Sequence, residues 1–397
     1  MDSVINKVLH IGKFFYPSHG GIETFMHDLA NACHQQGCKQ AILVHAGAGQ
    51  KAGRQDLKLF PFLENFERVQ QWGQLGYAPI SPGFLKALNQ MIDDFQPDII
   101  HLHLPNPSAF WVLVSKKARA IPWVVHWHSD AYSPDFELIV RALYALYRPF
   151  ETQLLEGARA IIATSPPYLE TSRTLQPWQI KSHVIPLGLP PSRLQTNTLL
   201  EGTYWPKSRQ ARHAQTAPLL KVLALGRLTT YKGFKYLISA LRDSPVELVI
   251  AGSGDQYRAL KREVAENGVG DRVHFLQSVD DNLRNKLLAE CELVCLPSIH
   301  RAEAFGITVL EAMAVGKPAL VSCIRGSGLS WLVKDGVTGW HVPPRDIQAI
   351  TQCFIEIAEQ REKIKIKGDE ALSRFKRYFE IDHVAKQVLS LYDHTLQ

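Results

Sequence analysis

Short, uninterrupted apolar runs alternate with amphipathic stretches along the whole chain. Residues 8–11 are apolar and end at Gly12; residues 22–36 follow, with Phe25, Leu29 and Cys33 four apart on one helix face. This predicts a strand-loop-helix unit opening a parallel sheet, whose strands are buried on both faces and so read as apolar runs without alternation. Further strands are predicted at 40–45, 99–102, 123–126 and 160–165, with a long amphipathic helix at 136–157. After a polar stretch the pattern resumes with strands at 219–225, 247–251, 293–296 and 319–322, a helical pair within 346–376 and a last helix at 382–395. At ~150 residues per domain, 397 residues make two or three cores, and the repeated alternation makes them α/β.

One stretch carries the densest chemistry: residues 301–318, Arg-Ala-Glu-Ala-Phe-Gly-Ile-Thr-Val-Leu-Glu-Ala-Met-Ala-Val-Gly-Lys-Pro. Val309, Leu310 and Met313 fall at helical spacing, Gly306 lets the chain turn into the helix, and Gly316 with Pro318 ends it. A brief helix with an exposed N-terminus is expected. Unpaired amides around Phe305, Gly306 and Ile307 would carry partial positive charge and suit a phosphate. Glu303 and Glu311 lie beside it and can grip hydroxyls, and a phosphate flanked by sugar hydroxyls describes a nucleotide sugar. The plainer alternative is a core-facing helix with two solvated glutamates, which leaves the glycines and the proline unexplained.

Glu303 and Glu311 around Phe305-Gly306 resemble the Glu-(seven residues)-Glu signature of retaining glycosyltransferases of the family 4 (group 1) type. The resemblance implies a GT-B fold: two Rossmann-like domains facing across a cleft, with the C-terminal helix crossing back to the N-terminal domain. By that likeness Glu303 meets the donor sugar's hydroxyls, Glu311 the ribose diol, and the amides between them the sugar and phosphate. Gly20 and Gly21, followed by Ile22 and Glu23, resemble the family's first loop, and paired glycines at a helix start admit a phosphate or acceptor closely. Gly226-Arg227 with Lys232-Gly233 resembles its phosphate-binding pair; two cations are needed where a departing diphosphate gathers negative charge. His128 follows the strand at 123–126, at the sheet's carboxyl edge where such folds build sites, and matches the family's histidine there. Residues 273–276 with Gln277-Ser278-Val279 resemble the strand and loop that hold the base. Residues 184–188 resemble the strand closing the N-terminal domain, although Leu189 and Pro190 depart from the family's small residue and Asp. The domains implied are 1–190 with 377–397, and 218–376, joined by a basic linker, 191–217, in which Arg193, Lys207, Arg209 and Arg212 meet one acid, Glu201.

Composition narrows the picture. A net charge of +6 with scattered basic residues argues against nucleic acid as a partner. Six cysteines are too few for a disulfide scaffold and lack histidines at zinc spacing, so reduced, packed thiols of a cytoplasmic protein are expected. No apolar run reaches the eighteen residues of a membrane span. No Asp-x-Asp occurs, so a metal and any other cofactor are not expected; Arg227, Lys232 and the helix amides take the metal's place at the diphosphate. Gly252-Ser253-Gly254 is a fragment of the dinucleotide fingerprint without its third glycine, which makes a dehydrogenase a poor reading.

Residues 9–17 and 325–330 look most like mannosyl- and rhamnosyltransferases of bacterial surface-polysaccharide assembly, which implies a GDP-sugar donor. A UDP-sugar transferase of the same fold, a nucleotide-sugar epimerase and a non-catalytic nucleotide-sugar binder are the alternatives. The expected acceptor is a saccharide linked to polyprenyl diphosphate, reached at the inner face of the plasma membrane. There the apolar run 110–114, leading into Lys116, Lys117 and Arg119 with Trp123 behind, would meet anionic headgroups. The other reading of that run is a helix burying its apolar face against its own sheet.

Overall fold

Most strands are runs of apolar residues because they are covered on both faces. The computed structural model describes residues 6–18, 20–47, 49–75, 78–131, 138–194, 205–206 and 218–396. These form two units, Met1–Gly188 with Ile381–Gln397, and Leu189–Glu380. Of the predicted linker, Arg193 lies in a 3-10 turn, Pro191–Leu194, while Glu201, Lys207, Arg209 and Arg212 lie outside the described residues.

In the first unit β1 (Lys7–Ile11), β2 (Lys39–His45) and β3 (Leu63–Val69) are followed by a two-stranded antiparallel ribbon, β4 (Gly73–Leu75) and β5 (Ala78–Ile80). Then come β6 (Ile99–Leu104), β7 (Trp123–Trp127), β8 (Ala160–Ala163) and β9 (Ser182–Val184). The main sheet is parallel, ordered β3-β2-β1-β6-β7-β8-β9. The second unit contributes β10 (Leu220–Leu225), β11 (Val246–Ala251), β12 (Val273–Leu276), β13 (Leu293–Leu296), β14 (Ala319–Ser322) and β15 (Gly339–Val342), also parallel, ordered β12-β11-β10-β13-β14-β15. Counted within its own unit each sheet begins 3-2-1-4-5-6, the doubly wound order. The connections reverse direction between β1 and β6 in one sheet, and between β10 and β13 in the other. Such a reversal opens a crevice at the strands' carboxyl ends.

The sequence expectations shift in places. β3 and β15 are absent from the apolar pattern, and both are edge strands, where one side needs no apolar partner. Leu-Glu-Asn-Phe-Glu-Arg-Val of β3 carries ion pairs instead, Glu64 with Lys39 at 2.7 Å and Glu67 with Arg54 at 2.9 Å. The run expected at 184–188 forms its ladder at Ser182–Val184, while Ile185 and Leu187 are buried beyond the strand. The returning segment begins at Ile381 rather than 377, because the Leu189 amide donates to the Phe379 carbonyl at 3.1 Å and Phe379 is buried against Phe305 and Trp331 of the second unit. Helix Ile381–Leu396 packs on helix Gly21–Gln35, and the Tyr392 hydroxyl reaches Nδ1 of His101 inside the first core.

The apolar run after β6 is only partly internal: Phe110, Trp111 and Leu113 are half-buried and Val114 is exposed. Val112 is fully buried, Phe110 stacks on Phe150 at 5.6 Å, and Trp123 is a buried β7 residue whose Nε1 donates to the Leu154 carbonyl at 3.0 Å. Trp123 is therefore no part of a surface patch; Val114, Lys116 and Arg119 are exposed, and Lys117 pairs with Asp93. Among the described residues no helix is long and apolar enough to cross a membrane.

Helix Leu138–Gly157 turns one carboxyl inward. Glu151 is 1% exposed and accepts from the Tyr144 hydroxyl at 2.8 Å. Burial, helped by the charge of Asp130, pushes its pKa from 4.5 to about 7 against the Tyr144 hydrogen bond and Arg148. A carboxyl whose folded pKa is raised binds its proton more tightly when folded, so its contribution to stability is full below the unfolded value and is lost as pH rises towards 7. Glu151→Gln is therefore expected to raise the melting temperature at about pH 8, by the equivalent of roughly 3 kcal/mol. The gain should vanish near about pH 4; an equal gain at both pH values in a thermal melt would separate it from Glu151 ionisation.

Candidate active site

The second unit's site begins where β10 and β13 part. After Leu225 the chain turns through Gly226-Arg227 to a short 3-10 segment, Thr230–Lys232, and then Gly233. Gly233 has φ 71°, and a Cβ there would lie 2.1 Å from the Pro297 carbonyl oxygen, so glycine alone lets this turn lie against the end of β13. The Ile299 amide, just past β13, donates to the Tyr231 carbonyl at 2.8 Å and fixes the approach.

This contact brings Lys232 to Glu303. The ammonium lies 2.6 Å from Glu303 Oε2, and Ser298 Oγ donates to the same oxygen at 3.1 Å, so both partners fall on Oε2. Lys232 and Glu303 are 7% and 8% exposed. Burial works to lower the lysine's pKa, and the neighbouring Arg227 charge adds to that push. The Glu303 carboxylate, with help from Tyr231, outweighs both and holds it above the ordinary value. Arg227 itself is exposed.

Seven residues separate the two glutamates because a helix start lies between them. Gly306 sits at φ 95°, where a Cβ would come 2.5 Å from Leu329 Cδ2, and helix Ile307–Ala314 follows. Among the described residues the amides of Phe305, Gly306 and Ile307 meet no acceptor. Contrary to expectation this helix start is largely covered: Ala304, Phe305 and Gly306 are buried, and the Phe305 ring packs near Trp331 and Phe379. Ile307 is half-buried, so the opening is narrow. Thr308 Oγ1 approaches the Leu225 carbonyl, which sets the helix start beside the end of β10.

Glu311 is 7% exposed and lies 3.5 Å from Arg284 Nη1, which also donates to Asp281 at 2.8 Å. Two solvated glutamates are thus ruled out, since each carboxylate is buried against a cation. Arg284 and Ser298 are the residues that sequence reasoning missed. Arg284 lies 27 positions before its partner with no motif around it, whereas Ser298 directly follows an apolar strand and could have been noticed. Val279 is half-buried in the loop after β12. At the carboxyl ends of β11 and β12 a cavity of about 400 Å³ is lined by Ser253, Asp255, Tyr257, Arg258 and Gln277.

In the first unit Gly20 precedes helix Gly21–Gln35 in extended conformation, φ −176°, so its backbone makes no demand for glycine. Phe25 of that helix sets its ring edge-on to His126 and His128, 5.0 and 5.8 Å away. His128 follows β7 and is 5% exposed; its Nε2 lies 3.0 Å from Nδ1 of His103, and its Nδ1 has no partner among the described residues. Burial lowers its pKa to about 3, which keeps the ring neutral at neutral pH. Behind it His10, His101, His103 and His126 fill the centre of the sheet, all wholly or nearly buried. His10, His101 and His103, and again His103, His126 and His128, bring ring nitrogens within reach of a common point. The alternation His101-Leu-His103 and His126-Trp-His128 was the available signal for this cluster.

Residues 208–374 match the family model described as Glycosyl transferases group 1, and residues 20–188 that described as Glycosyl transferase 4-like domain. The O-antigen chain mannosyltransferase C of Escherichia coli is 30% identical over 98% of this chain and 99% of its own length. The D-rhamnosyltransferase WbpZ of Pseudomonas aeruginosa is 31% identical over 94% and 92%. Among solved structures, sucrose-phosphate synthase from Thermosynechococcus elongatus aligns with TM-score 0.77 and 22% identity over 98% and 99% of the two chains. WaaG, a glycosyltransferase involved in lipopolysaccharide biosynthesis, aligns with TM-score 0.69 and 15% identity over 96% and 98%. At these identities the structural likenesses speak for the fold alone, whereas the full-length sequence relatives reach further: this chain belongs to the group 1, family 4 type, glycosyltransferases of GT-B fold.

Proposed function

We propose that this chain is a retaining, metal-independent hexosyltransferase of surface-polysaccharide biosynthesis. It moves mannose or rhamnose from a GDP-sugar to a hydroxyl of a polyprenyl-diphosphate-linked saccharide. One constellation carries the assignment: buried Lys232 and exposed Arg227 beside Glu303, with the amides of Phe305, Gly306 and Ile307 that meet no acceptor among the described residues. Cations and amides suit a diphosphate, and the Glu303 oxygen not taken by Lys232 and Ser298 suits a sugar hydroxyl. Relatives named for mannosyl and D-rhamnosyl transfer support the choice of sugar.

In the proposed step the bond from the donor's C1 to the phosphate oxygen breaks, and its electron pair leaves with the nucleoside diphosphate. The acceptor hydroxyl bonds to C1 on the same face and gives its proton to the departing phosphate. Arg227, Lys232 and the helix amides stabilise the charge that grows there, which is where fixed donors matter most. Glu311 takes the ribose diol, a role for which Arg284 already holds its carboxylate in place. Val279 lines the base site, and Gly20, Gly21 and His128 contact substrate as the family resemblance implies.

Glu311→Gln is expected to weaken nucleotide binding about ten- to a hundredfold, the equivalent of one charge-assisted hydrogen bond of ~1.5–3 kcal/mol. Calorimetry giving unchanged affinity together with a large fall in melting temperature would make Glu311 structural. Transfer from GDP-mannose or GDP-rhamnose to a lipid-linked saccharide, followed by mass spectrometry, should persist in EDTA. Activity abolished by chelation and restored by magnesium or manganese would assign the diphosphate to a metal.

Replacing Lys116, Lys117 and Arg119 together with Gln should reduce co-sedimentation with anionic vesicles, at ~1 kcal/mol per charge that meets headgroups. The Asp93 pair makes Lys117 the smallest contributor. Equal sedimentation of wild type and variant would remove this surface as the membrane contact.

A further inference from the structure

His128 is the end of a chain of hydrogen bonds whose direction is set thirty residues beyond β1. Gln40 Nε2 donates to the Cys38 carbonyl at 3.0 Å, which turns its Oε1 towards His10 Nε2 at 2.8 Å. A carbonyl oxygen only accepts, so both ends of the Gln40 amide are fixed, and His10 must carry its proton on Nε2. A neutral imidazole has one N–H, which leaves His10 Nδ1 as a lone pair. It faces His103 Nε2 at 3.0 Å, so His103 donates there and its own Nδ1 is bare. That Nδ1 in turn faces His128 Nε2 at 3.0 Å, so His128 must donate from Nε2. The proton count of one per ring holds because burial lowers the pKa of His10 to about 4, of His128 to about 3, and of His103 well below its ordinary value.

The same imidazoles make a poor metal cage. His126 and His128 stack 4.3 Å apart with planes 2° from parallel, and His103 lies 12° and 14° from them. Lone pairs lie in their ring planes, so stacked parallel rings aim along separate lines, whereas a bound zinc needs them to converge at ~2.1 Å. The stack instead clamps the orientation of His128 while the hydrogen bonds set its tautomer.

We propose that Gln40, His10 and His103 are positioning residues that hold His128 as the Nε2–H tautomer, so that its unpartnered Nδ1 lone pair accepts a hydrogen bond from a substrate hydroxyl. This rests on the reading of His128 as a substrate contact. A buried acceptor without a partner is a standing penalty in the free protein, and a ligand hydroxyl relieves it. A histidine held in the other tautomer would present Nδ1–H and donate to that hydroxyl's oxygen, which reverses the bond and turns the hydroxyl's own proton away from the ring.

The test is nitrogen-15 NMR of the full chain labelled at histidine, read without substrate, with His128 signals identified by their loss in His128→Asn. Wild type should show His128 protonated at Nε2 and bare at Nδ1. Gln40→Met removes the fixed acceptor and should mix the two tautomers and lower turnover roughly tenfold or more, as wrong-tautomer variants of other enzymes do. Gln40→Glu, read at a pH where its buried carboxyl is protonated and donates to the Cys38 carbonyl, again offers an oxygen to His10 and should restore the wild-type spectrum and much of the turnover. His103→Phe cuts the chain while keeping an aromatic ring in the stack, and gives the same reading should Gln40→Met fold poorly. His128 remaining Nε2–H in both Gln40→Met and His103→Phe would overturn the relay, as would a changed tautomer with unchanged turnover. A wild type that transfers no hexosyl unit would instead count against the proposed activity, while the spectrum would still decide who sets the tautomer.

Discussion

A lysine charge buried among apolar strands persists only if an opposite charge is buried with it, and the second unit is arranged around that condition. Removing one member of a buried pair typically costs about 3–5 kcal/mol, because the survivor is left unpaired out of water. Lys232 and Glu303 therefore depend on each other, and both depend on Gly233, whose missing side chain lets the β10 turn approach the end of β13. The pair also keeps a cation charged and largely out of water at the end of β10. A solvated lysine would have to be stripped of water first.

The two units solve related problems with different chemistry on the same strand order. In the second, the crevice between β10 and β13 gathers charge, two glutamates against a lysine and two arginines. In the first, the strands flanking the reversal between β1 and β6 gather neutral imidazoles, stacked and hydrogen-bonded, with their charged forms suppressed by burial. Charge suits an anion, whereas oriented neutral donors and acceptors suit hydroxyls. A doubly wound sheet accommodates either, because the reversal frees the strand ends whatever side chains occupy them.

Most strands were legible because burial on both faces leaves an apolar run of matching length; 293–296 and 319–322 coincide with β13 and β14. The edge strands β3 and β15 were not, since half of an edge is excused from apolarity. The helix between Glu303 and Glu311 was legible from Val309, Leu310 and Met313 and its glycine stops. That both glutamates are buried against cations was not, because Lys232 and Arg284 come from elsewhere in the chain and spacing within a motif carries no record of them. His128 could be marked by its place after a strand. The relay behind it depends on register, which sets His10 opposite His101 and His103 opposite His126, and pairing of that kind is invisible in one dimension.

The C-terminal helix carries a consequence for the order in which the molecule can be completed. The second unit lies in one contiguous block, 189–380, whereas helix Ile381–Leu396 of the first unit, and with it Tyr392 beside His101, follows that block in the chain. A ribosome therefore delivers the whole second unit before this helix of the first. Until then the flank of helix Gly21–Gln35 that Ile381–Leu396 covers stays open.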